Sequence, residues 1–178
     1  MKELKGVTVW FTGLPCCGKT TIADQVAIRL KQKGYIVERL DGDIVRKGLT
    51  SDLGFSKKDR DENIRRVTSV AKDLTRNRII VLATFVSPYR KQRRNARKEI
   101  GQFIEVYVRC PLEICMKRDV KGMYQKAREG KITHFTGIDD PYEEPEQPEL
   151  ILDTDKETID ESVIKVLKKL GELGYITL

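Results

Sequence analysis

Eight consecutive residues have the composition and spacing of a nucleotide phosphate-binding loop. They match the pattern G-x-x-x-x-G-K-[ST] in full, and they are Gly13, Leu14, Pro15, Cys16, Cys17, Gly18, Lys19 and Thr20. Glycines let the backbone curl so that successive N–H groups point at phosphate oxygens, while the lysine brings a positive charge to the β- and γ-phosphates. A threonine hydroxyl at the last position can coordinate Mg²⁺. We therefore expect this loop, together with Thr21, to bind ATP or a close relative.

The two cysteines at the centre of the loop allow two interpretations. A thiol close to positive charge can have a lowered pKa and be sensitive to oxidation, whereas a small buried thiol packs inertly. We favour packing for Cys16 and Cys17. The chain has four cysteines and one histidine, which do not form a metal-ligand pattern, and we expect no structural disulfide.

Two aspartates, Asp41 and Asp43, follow the second predicted strand. Open α/β sheets bind ligands at the carboxyl ends of their strands. A carboxylate there can accept a proton from an acceptor hydroxyl or hold magnesium through water. An Asp-Gly pair is also a common turn held by aspartate side chains. We assign Asp41 with Thr20 to a predicted Mg²⁺ site and keep the turn as the alternative.

Strand and helix patterns alternate along the whole chain. Apolar runs predict strands at residues 7–11, 35–40, 79–85, 103–108 and 150–152,. Helical spacing predicts four helices, which begin after the phosphate loop, at a capping box of Ser56 with Asp59, at Pro88 and at Ile159,. We expect an α/β fold with a mostly parallel five-stranded sheet flanked by helices, formed by residues 1–178 as a single domain. Residues 119–149 fit this alternation least well, and we interpret them as a mobile lid over the site.

The composition is that of a folded protein. Charged residues make up 34% and apolar residues 39% of 178 residues, and no apolar run approaches the roughly 18 residues of a membrane span. We expect no signal peptide, no membrane partner and a cytoplasmic location. The net charge of +7 is unevenly spread. Residues 139–161 hold eleven acids and one lysine, a balance of −10, so the rest carries +17.

A basic run at residues 89–98 raises the question of nucleic-acid binding. It has no interleaved aromatic residues and no recognisable nucleic-acid fold,. We interpret it as a solvated helix face, and we expect no nucleic-acid partner. The lone His134 lacks acid or cysteine partners in the sequence and is predicted to be a surface residue.

The phosphate loop and several later blocks together resemble the adenylylsulfate kinase family from about residue 5 to residue 154. The later blocks occur in matching order as LDGDIVR (40–46), GFS (54–56), DRDENIRR (59–66), SPYR (87–90), RDVKGMY (118–124) and FTGIDDPYE (135–143). The resemblance implies a three-layer P-loop kinase fold. It also implies transfer of the γ-phosphoryl group of ATP to the 3′-hydroxyl of adenylyl sulfate.

The resemblance also implies roles for individual residues. Asp43 matches the aspartate near the acceptor hydroxyl, the expected base or metal-linked carboxylate, and Lys19 is the second expected catalytic group. Arg46, Arg60 and Asn63 are expected to hold the phosphosulfate and ribose, and Phe55 and Phe135 to sandwich the adenine. Lys121 is expected to reach the acceptor from the lid, and Val86 and Ser87 to line its pocket. Stacked aromatic rings and bidentate arginines suit such a ligand. Arg118 is a candidate clamp for ATP, with a salt bridge near Asp119 as the alternative.

Ser87 has a second possible role. Descriptions of the family propose a phosphoserine intermediate at the matching position, which places Ser87 among the candidate catalytic residues. We prefer direct in-line transfer, because positioning and charge neutralisation already supply what phosphoryl transfer needs. Ser87 is then a residue of the pocket.

Partners and alternatives follow from the same resemblance. We expect a homodimer and a functional link to ATP sulfurylase. One alternative is another small-molecule kinase on the same fold, with a nucleoside monophosphate or a sugar acid as acceptor. The other is a non-catalytic nucleotide-binding partner of ATP sulfurylase, which the intact loop and Asp43 argue against.

Overall fold

The computed structural model describes residues 5–177. The strands are β1 (Val7–Thr12), β2 (Val37–Asp41), β3 (Ile80–Thr84), β4 (Phe103–Arg109) and β5 (Leu150–Asp153). The helices are α1 (Lys19–Gln32), α2 (Gly42–Val45), α3 (Lys57–Arg76), α4 (Arg90–Ile100), α5 (Leu112–Arg118), α6 (Met123–Arg128) and α7 (Ile159–Glu172). The first four residues, where we expect no signal peptide, and Leu178 lie outside the described residues.

All pairings in the five-stranded sheet are parallel, in the order β2-β3-β1-β4-β5. This confirms the predicted α/β fold with its flanked parallel sheet. One core cluster fills the space between the sheet and helices α1 and α7, and it includes Phe11, Leu30 and Leu170. A second cluster lies between the opposite face and helices α3 and α4, around Trp10 and Val67. Burial on both faces is why β1 and β3 are apolar over most of their length.

Several element boundaries differ from the prediction. β2 begins at Val37, because the N–H of Tyr35 still bonds the carbonyl of Leu30 and closes the end of α1 at 3.1 Å. α7 passes through Gly171 and ends beside Gly174, whose φ of +76° suits glycine,. The short helices α2, α5 and α6 were not predicted, since four to seven residues are too few to show a helical period,.

The helix at Ser56 begins as predicted, with a different bonding pattern. Ser56 Oγ accepts the N–H of Asp59 at 3.1 Å. The Asp59 carboxylate accepts the hydroxyl of Ser56 at 2.6 Å, instead of reaching the backbone as a full capping box requires,. α7 has the complete box, between Thr158 and Glu161.

The basic helix α4 is a solvated face only in part: Lys91, Arg94 and Lys98 are exposed as predicted, whereas other arginines of the run are covered by acidic residues. Arg93 lies buried against Glu105, with 2.8 Å between Nε and Oε1. Arg97 forms a two-pronged pair with Glu149 at 2.7 and 2.8 Å. Other partners come from the same acidic segment, because Arg94 pairs with Glu146 and the backbone N–H of Arg90 bonds Glu143. The separated charges of the sequence therefore meet along this helix.

No helix among residues 5–177 has the length and apolar character needed to cross a bilayer.

Replacing the buried carboxylate of this charge network should cost far more than replacing an exposed one. Glu105→Gln leaves Arg93 buried without a counter-charge, and we expect the free energy of unfolding to fall by about 3–5 kcal/mol. The matched control is Glu146→Gln at the exposed end of the network, where less than about 1 kcal/mol is expected. Urea unfolding measures both variants. Equal losses would contradict the assignment of Glu105 as the buried anchor.

Candidate functional site

The phosphate loop lies between the end of β1 and the start of α1, as its sequence pattern requires. A Cβ atom at Gly13 would lie 2.4 Å from the carbonyl oxygen of Val108 and 2.7 Å from Cys17 Sγ, so only glycine fits. Gly18 has a φ of +105°, which side chains rarely adopt,. Lys19 spans the loop, because its Nζ donates to the carbonyls of Gly13 at 2.9 Å and Leu14 at 2.8 Å. The backbone curl and the lysine are therefore both held in place.

The cysteines of the loop differ in exposure. Cys17 is completely buried, whereas Cys16 is half-buried and has a φ of +61°. Burial raises the pKa of the Cys17 thiol even though Lys19 lies beside it. The idea of a lowered pKa is therefore wrong for Cys17, which packs beneath the loop. All four cysteines are free.

Asp41 connects the loop to two strand ends. Its carboxylate accepts the hydroxyl of Thr20 at 2.8 Å, the hydroxyl of Thr84 at 2.7 Å and the N–H of Asp43 at 3.0 Å. Burial acts to raise the pKa of Asp41, but these hydrogen bonds outweigh it, so the pKa lies below its ordinary value,. A hydroxyl beside an ionised carboxylate is the hard oxygen donor set that Mg²⁺ prefers. The two residues of the predicted metal site are thus in contact.

Two predicted substrate-binding residues that are far apart in sequence are in contact two residues after Asp41. Lys121, from the segment predicted to be a lid, forms an ion pair with Asp43. Both side chains remain largely exposed. The junction of β2 and α2 therefore presents one carboxylate to the loop's threonine and one to the lysine of the predicted lid.

Two arginines provide positive charge nearby. Burial, and then the proximity of Arg60, lower the pKa of Arg46. The guanidinium of Arg46 lies over the Phe55 ring, 4.3 Å from its centroid. Arg60 is buried and contacts Thr136 at 3.3 Å and Asp140 at 3.0 Å. Two neighbouring cations are suited to an anionic ligand.

Asn63 offers a hydrogen-bond acceptor without a protein partner. The residue is buried on α3, and among the described residues nothing donates to its Oδ1. Buried side-chain oxygens are usually bonded, so an orphan of this kind indicates a ligand or a water. Gln92 Oε1 is a second such atom, although its amide nitrogen bonds Asp61 at 2.6 Å.

The two phenylalanines predicted to sandwich an adenine pack against different partners. Phe55 is 54% exposed and contacts Arg46. Phe135 makes an edge-to-face contact with Tyr124, with 5.0 Å between ring centroids. The sandwich therefore stays a prediction.

Val86 and Ser87 form a strained turn at the end of β3. Ser87 has a φ of +40° and is 3% exposed. Its hydroxyl accepts the indole N–H of Trp10 at 3.0 Å and donates to Thr12 Oγ1 at 3.1 Å. The carbonyl of Val86 accepts the Thr12 hydroxyl at 2.7 Å. A buried hydroxyl with these commitments suits a pocket wall, and it offers no support for a nucleophile.

Arg118 contacts the strand end next to the loop. It donates to the Thr154 carbonyl at 2.6 Å, and Thr154 Oγ1 donates to the Cys17 carbonyl at 2.7 Å. The alternative of a salt bridge near Asp119 is not observed, because Asp119 accepts the backbone N–H groups of Tyr124 and Gln125. Arg118 is therefore adjacent to the phosphate loop, where a nucleotide clamp would be.

The prediction missed residues whose contacts are long-range. The hydroxyl of Tyr124 donates to the Pro15 carbonyl at 2.8 Å, and it fastens α6 to the loop centre. Three further residues bond predicted site residues: Thr84 bonds Asp41, and Thr136 and Asp140 both contact Arg60. Two of these lie in the block FTGIDDPYE, which carried a resemblance but no individual roles apart from Phe135. His134 is 59% exposed, in line with its predicted surface position, but it has an acidic neighbour that the sequence did not reveal, because its Nδ1 lies 3.6 Å from Asp140 Oδ1.

A separate cavity of about 440 Å³ opens on the β4–β5 side of the loop. Of the predicted site residues, only Leu14 lines it. Its walls include Tyr107, Arg109, Tyr142 and Asp153.

Comparisons of both the sequence and the fold with known proteins find adenylylsulfate kinases. The sequence model of the adenylylsulphate kinase family covers residues 5–153. An adenylyl-sulfate kinase of Halothermothrix orenii is 64% identical over 178 residues, which are 100% of this chain and 96% of the relative. The structure of the Mycobacterium tuberculosis APS kinase in complex with AMPPNP and APS has a TM-score of 0.90 at 44% identity, and the match covers 95% of this chain and 99% of that one. A hexameric APS kinase from Thiobacillus denitrificans has a TM-score of 0.76 at 39% identity, covering 99% of this chain and 31% of that one.

The lowered pKa of Asp41 makes a pH-dependent contribution to stability. A depressed folded-state pKa stabilises the protein above the unfolded value of about 3.9, and this contribution is lost as pH falls through the folded value. We expect Asp41→Asn to lower the free energy of unfolding by about 1–3 kcal/mol at neutral pH. The difference from wild type should shrink below about pH 4. Denaturant titrations across pH measure it. Asp24→Asn, an exposed partner of Arg39, is the control, and a pH-independent difference for Asp41→Asn would refute the assignment.

Proposed function

The chain belongs to the adenylylsulphate kinase family, and on this premise we infer that it transfers the γ-phosphoryl group of ATP to the 3′-hydroxyl of adenylyl sulfate. The products are ADP and 3′-phosphoadenylyl sulfate. The observation that carries this inference is the family match, which spans the phosphate loop and every later block of site residues. The chain is accordingly a kinase, a phosphotransferase with an alcohol group as acceptor, that acts in sulfate assimilation.

We place the donor at the phosphate loop. Its backbone N–H groups and the N-terminus of α1 face the phosphates, and Lys19 neutralises their charge. Thr20 and the ionised Asp41 fit a Mg²⁺ ion, the latter through water, and we propose that they hold it,. When bound, the ion neutralises charge on the transferring phosphoryl group. Arg118 reaches the same loop through Thr154 and is proposed to contact the nucleotide.

We place the acceptor opposite, between α2, α3 and the lid. Arg46 and Arg60 would bind the phosphosulfate, and the orphan oxygen of Asn63 would accept a hydrogen bond from the nucleoside,. The two phenylalanines, Phe55 and Phe135, would close on the adenine. Such stacking contributes roughly 1–3 kcal/mol per base in nucleic-acid complexes. For Phe55, the open ring face supports this assignment.

Asp43 is proposed to receive the proton of the acceptor hydroxyl. Its ion pair with Lys121 holds a lid residue at the point where the hydroxyl would enter. Transfer is proposed to be direct and in line, because Ser87 is buried and its hydroxyl is bonded to Thr12 and Trp10,.

We propose that residues 1–178 form one kinase domain and that residues 119–149 act as its lid. The ion pairs of Lys121 and Arg60 and the hydroxyl of Tyr124 connect this segment to both halves of the site. A homodimer, a functional link to ATP sulfurylase and a cytoplasmic location remain proposals.

The direct test is an acceptor assay with folded protein, ATP and Mg²⁺. We expect ADP and the 3′-phosphorylated product with adenylyl sulfate. A nucleoside monophosphate or a sugar acid should release little ADP, since neither carries both the adenine and the phosphosulfate. Product formation only with one of those acceptors would replace the proposal with a different kinase. Nucleotide binding without any transfer would favour a non-catalytic partner of ATP sulfurylase.

The proposed base predicts a separation of binding from turnover. Asp43→Ala should keep ATP affinity within about twofold and lower kcat by roughly 10²–10⁴-fold, the range of general-base catalysis. Steady-state kinetics and ATP titration measure the two quantities. The matched control is Asp52→Ala, another exposed carboxylate in an ion pair, here with Arg66, for which kcat should not change. An unchanged kcat in Asp43→Ala would remove Asp43 from the mechanism.

A further inference from the structure

The lid segment returns to the sheet at Tyr142, and there it contacts the strand that carries the phosphate loop. The hydroxyl of Tyr142 lies 2.9 Å from Thr12 Oγ1. Thr12 is the last residue of β1 and is directly followed by Gly13 of the loop. The same Thr12 hydroxyl bonds the Val86–Ser87 turn of the acceptor pocket. One buried oxygen therefore joins the lid, the loop strand and the pocket.

Counting protons assigns the direction of each bond. A hydroxyl has one proton to donate and two lone pairs to accept with. Thr12 donates to the carbonyl of Val86 at 2.7 Å, the shortest of its contacts. In that arrangement it accepts from Tyr142 and from Ser87, whose hydroxyl also lies 3.4 Å from the carbonyl of Phe85. Burial raises the pKa of the Tyr142 phenol, which keeps its proton in place for donation. The oxygen of Thr12 is thus saturated, and Tyr142 supplies its last bond.

Arg93 holds the same two segments from the other side. Its guanidinium donates to the carbonyl of Ser87 at 2.6 Å and to the carbonyl of Glu143 at 2.5 Å. It also lies over the Tyr142 ring, 5.6 Å from the centroid. The N–H of Glu143 bonds the Pro88 carbonyl at 2.8 Å. The lid return and the strained Ser87 turn are therefore fastened together on both sides of Tyr142.

We propose that Tyr142 is a positioning residue, whose hydroxyl sets the Val86–Ser87 wall of the acceptor pocket relative to the phosphate loop through Thr12. Its hydroxyl lies against Thr12, and its ring packs against Tyr107 and Arg93. It acts by completing the hydrogen bonds of Thr12, so that the acceptor wall keeps one position against the strand that leads into the donor loop. A small displacement between two reacting groups has large kinetic effects. The hydroxyl of Tyr142 is therefore a determinant of acceptor alignment.

The variant Tyr142→Phe tests this role because it keeps the ring and removes only the hydroxyl. We expect kcat/KM for adenylyl sulfate to fall about 10-fold, the order that one lost hydrogen bond produces. The KM for ATP should stay within about twofold, since Lys19 and the loop backbone do not depend on this bond. The matched control is Tyr107→Phe. That ring stacks on Tyr142 with centroids 6.0 Å apart, but its hydroxyl faces Glu144.

An NMR measurement tests the hydrogen-bond network around Thr12 without requiring turnover. Trp10 is the chain's one tryptophan, and its indole N–H donates to Ser87 Oγ. The single indole N–H resonance should shift in Tyr142→Phe, because hydrogen bonds in a chain polarise one another. The resonance should stay in place in Tyr107→Phe. Thermal unfolding of both variants measures any general loss of stability.

The outcomes separate cleanly. Because the kinetic role rests on the proposed function, a wild-type protein that makes no product defeats that function, while the indole resonance still tests the network. Equal kinetics in the two variants would overturn the proposal. So would an unmoved indole resonance in Tyr142→Phe. A lowered unfolding temperature with unchanged kinetics would make Tyr142 a purely structural residue, which also overturns it.

Discussion

The hydrogen bonds that converge on the Asp41 carboxylate are the interactions on which the rest of the site depends. β2 and β1 are not neighbours, because β3 lies between them. Asp41 nevertheless reaches Thr20 at the start of α1 and Thr84 at the end of β3. The parallel register makes this possible, since it places Asp41, Thr84 and Phe11 level with one another. The segment that carries Asp43 is therefore fixed relative to the phosphate loop, and the groups proposed to bind the donor and the acceptor lie at one edge of the sheet.

Sequence patterns predicted the parts of this site that are formed by residues adjacent in the sequence. The phosphate loop is defined by eight adjacent residues, and the strands are marked by apolar runs, so both could be predicted from the sequence alone. The Asp41–Thr20 contact could be anticipated as well, because Asp41 lies at the carboxyl end of β2 and Thr20 lies in the phosphate loop, which follows the carboxyl end of β1. The bond between Tyr142 and Thr12 could not be predicted, since it depends on the strand order and on the path of the lid. The pairing of Arg60 with Asp140 depends on the same two features.

The charge distribution also shows that contacts between distant segments could not be predicted from the sequence. The sequence separates a basic run on α4 from an acidic stretch some 50 residues later, and each taken alone suggests an exposed surface. In the fold, Arg93 and Arg97 meet Glu105 and Glu149, and the basic helix supports the lid return. The charge available to a polyanionic ligand then lies with Lys19, Arg46 and residues near them.

The central claim is that the phosphoryl group passes directly from ATP to the acceptor hydroxyl, with Ser87 as a pocket wall. The most direct test uses ATP made chiral at the γ-phosphorus with oxygen isotopes, followed by configurational analysis of the 3′-phosphorylated product. A single in-line transfer inverts the configuration at phosphorus, and inversion is the result that the buried, fully bonded hydroxyl of Ser87 predicts. Retention would require two successive transfers through an enzyme-bound phosphate, and it would contradict the account.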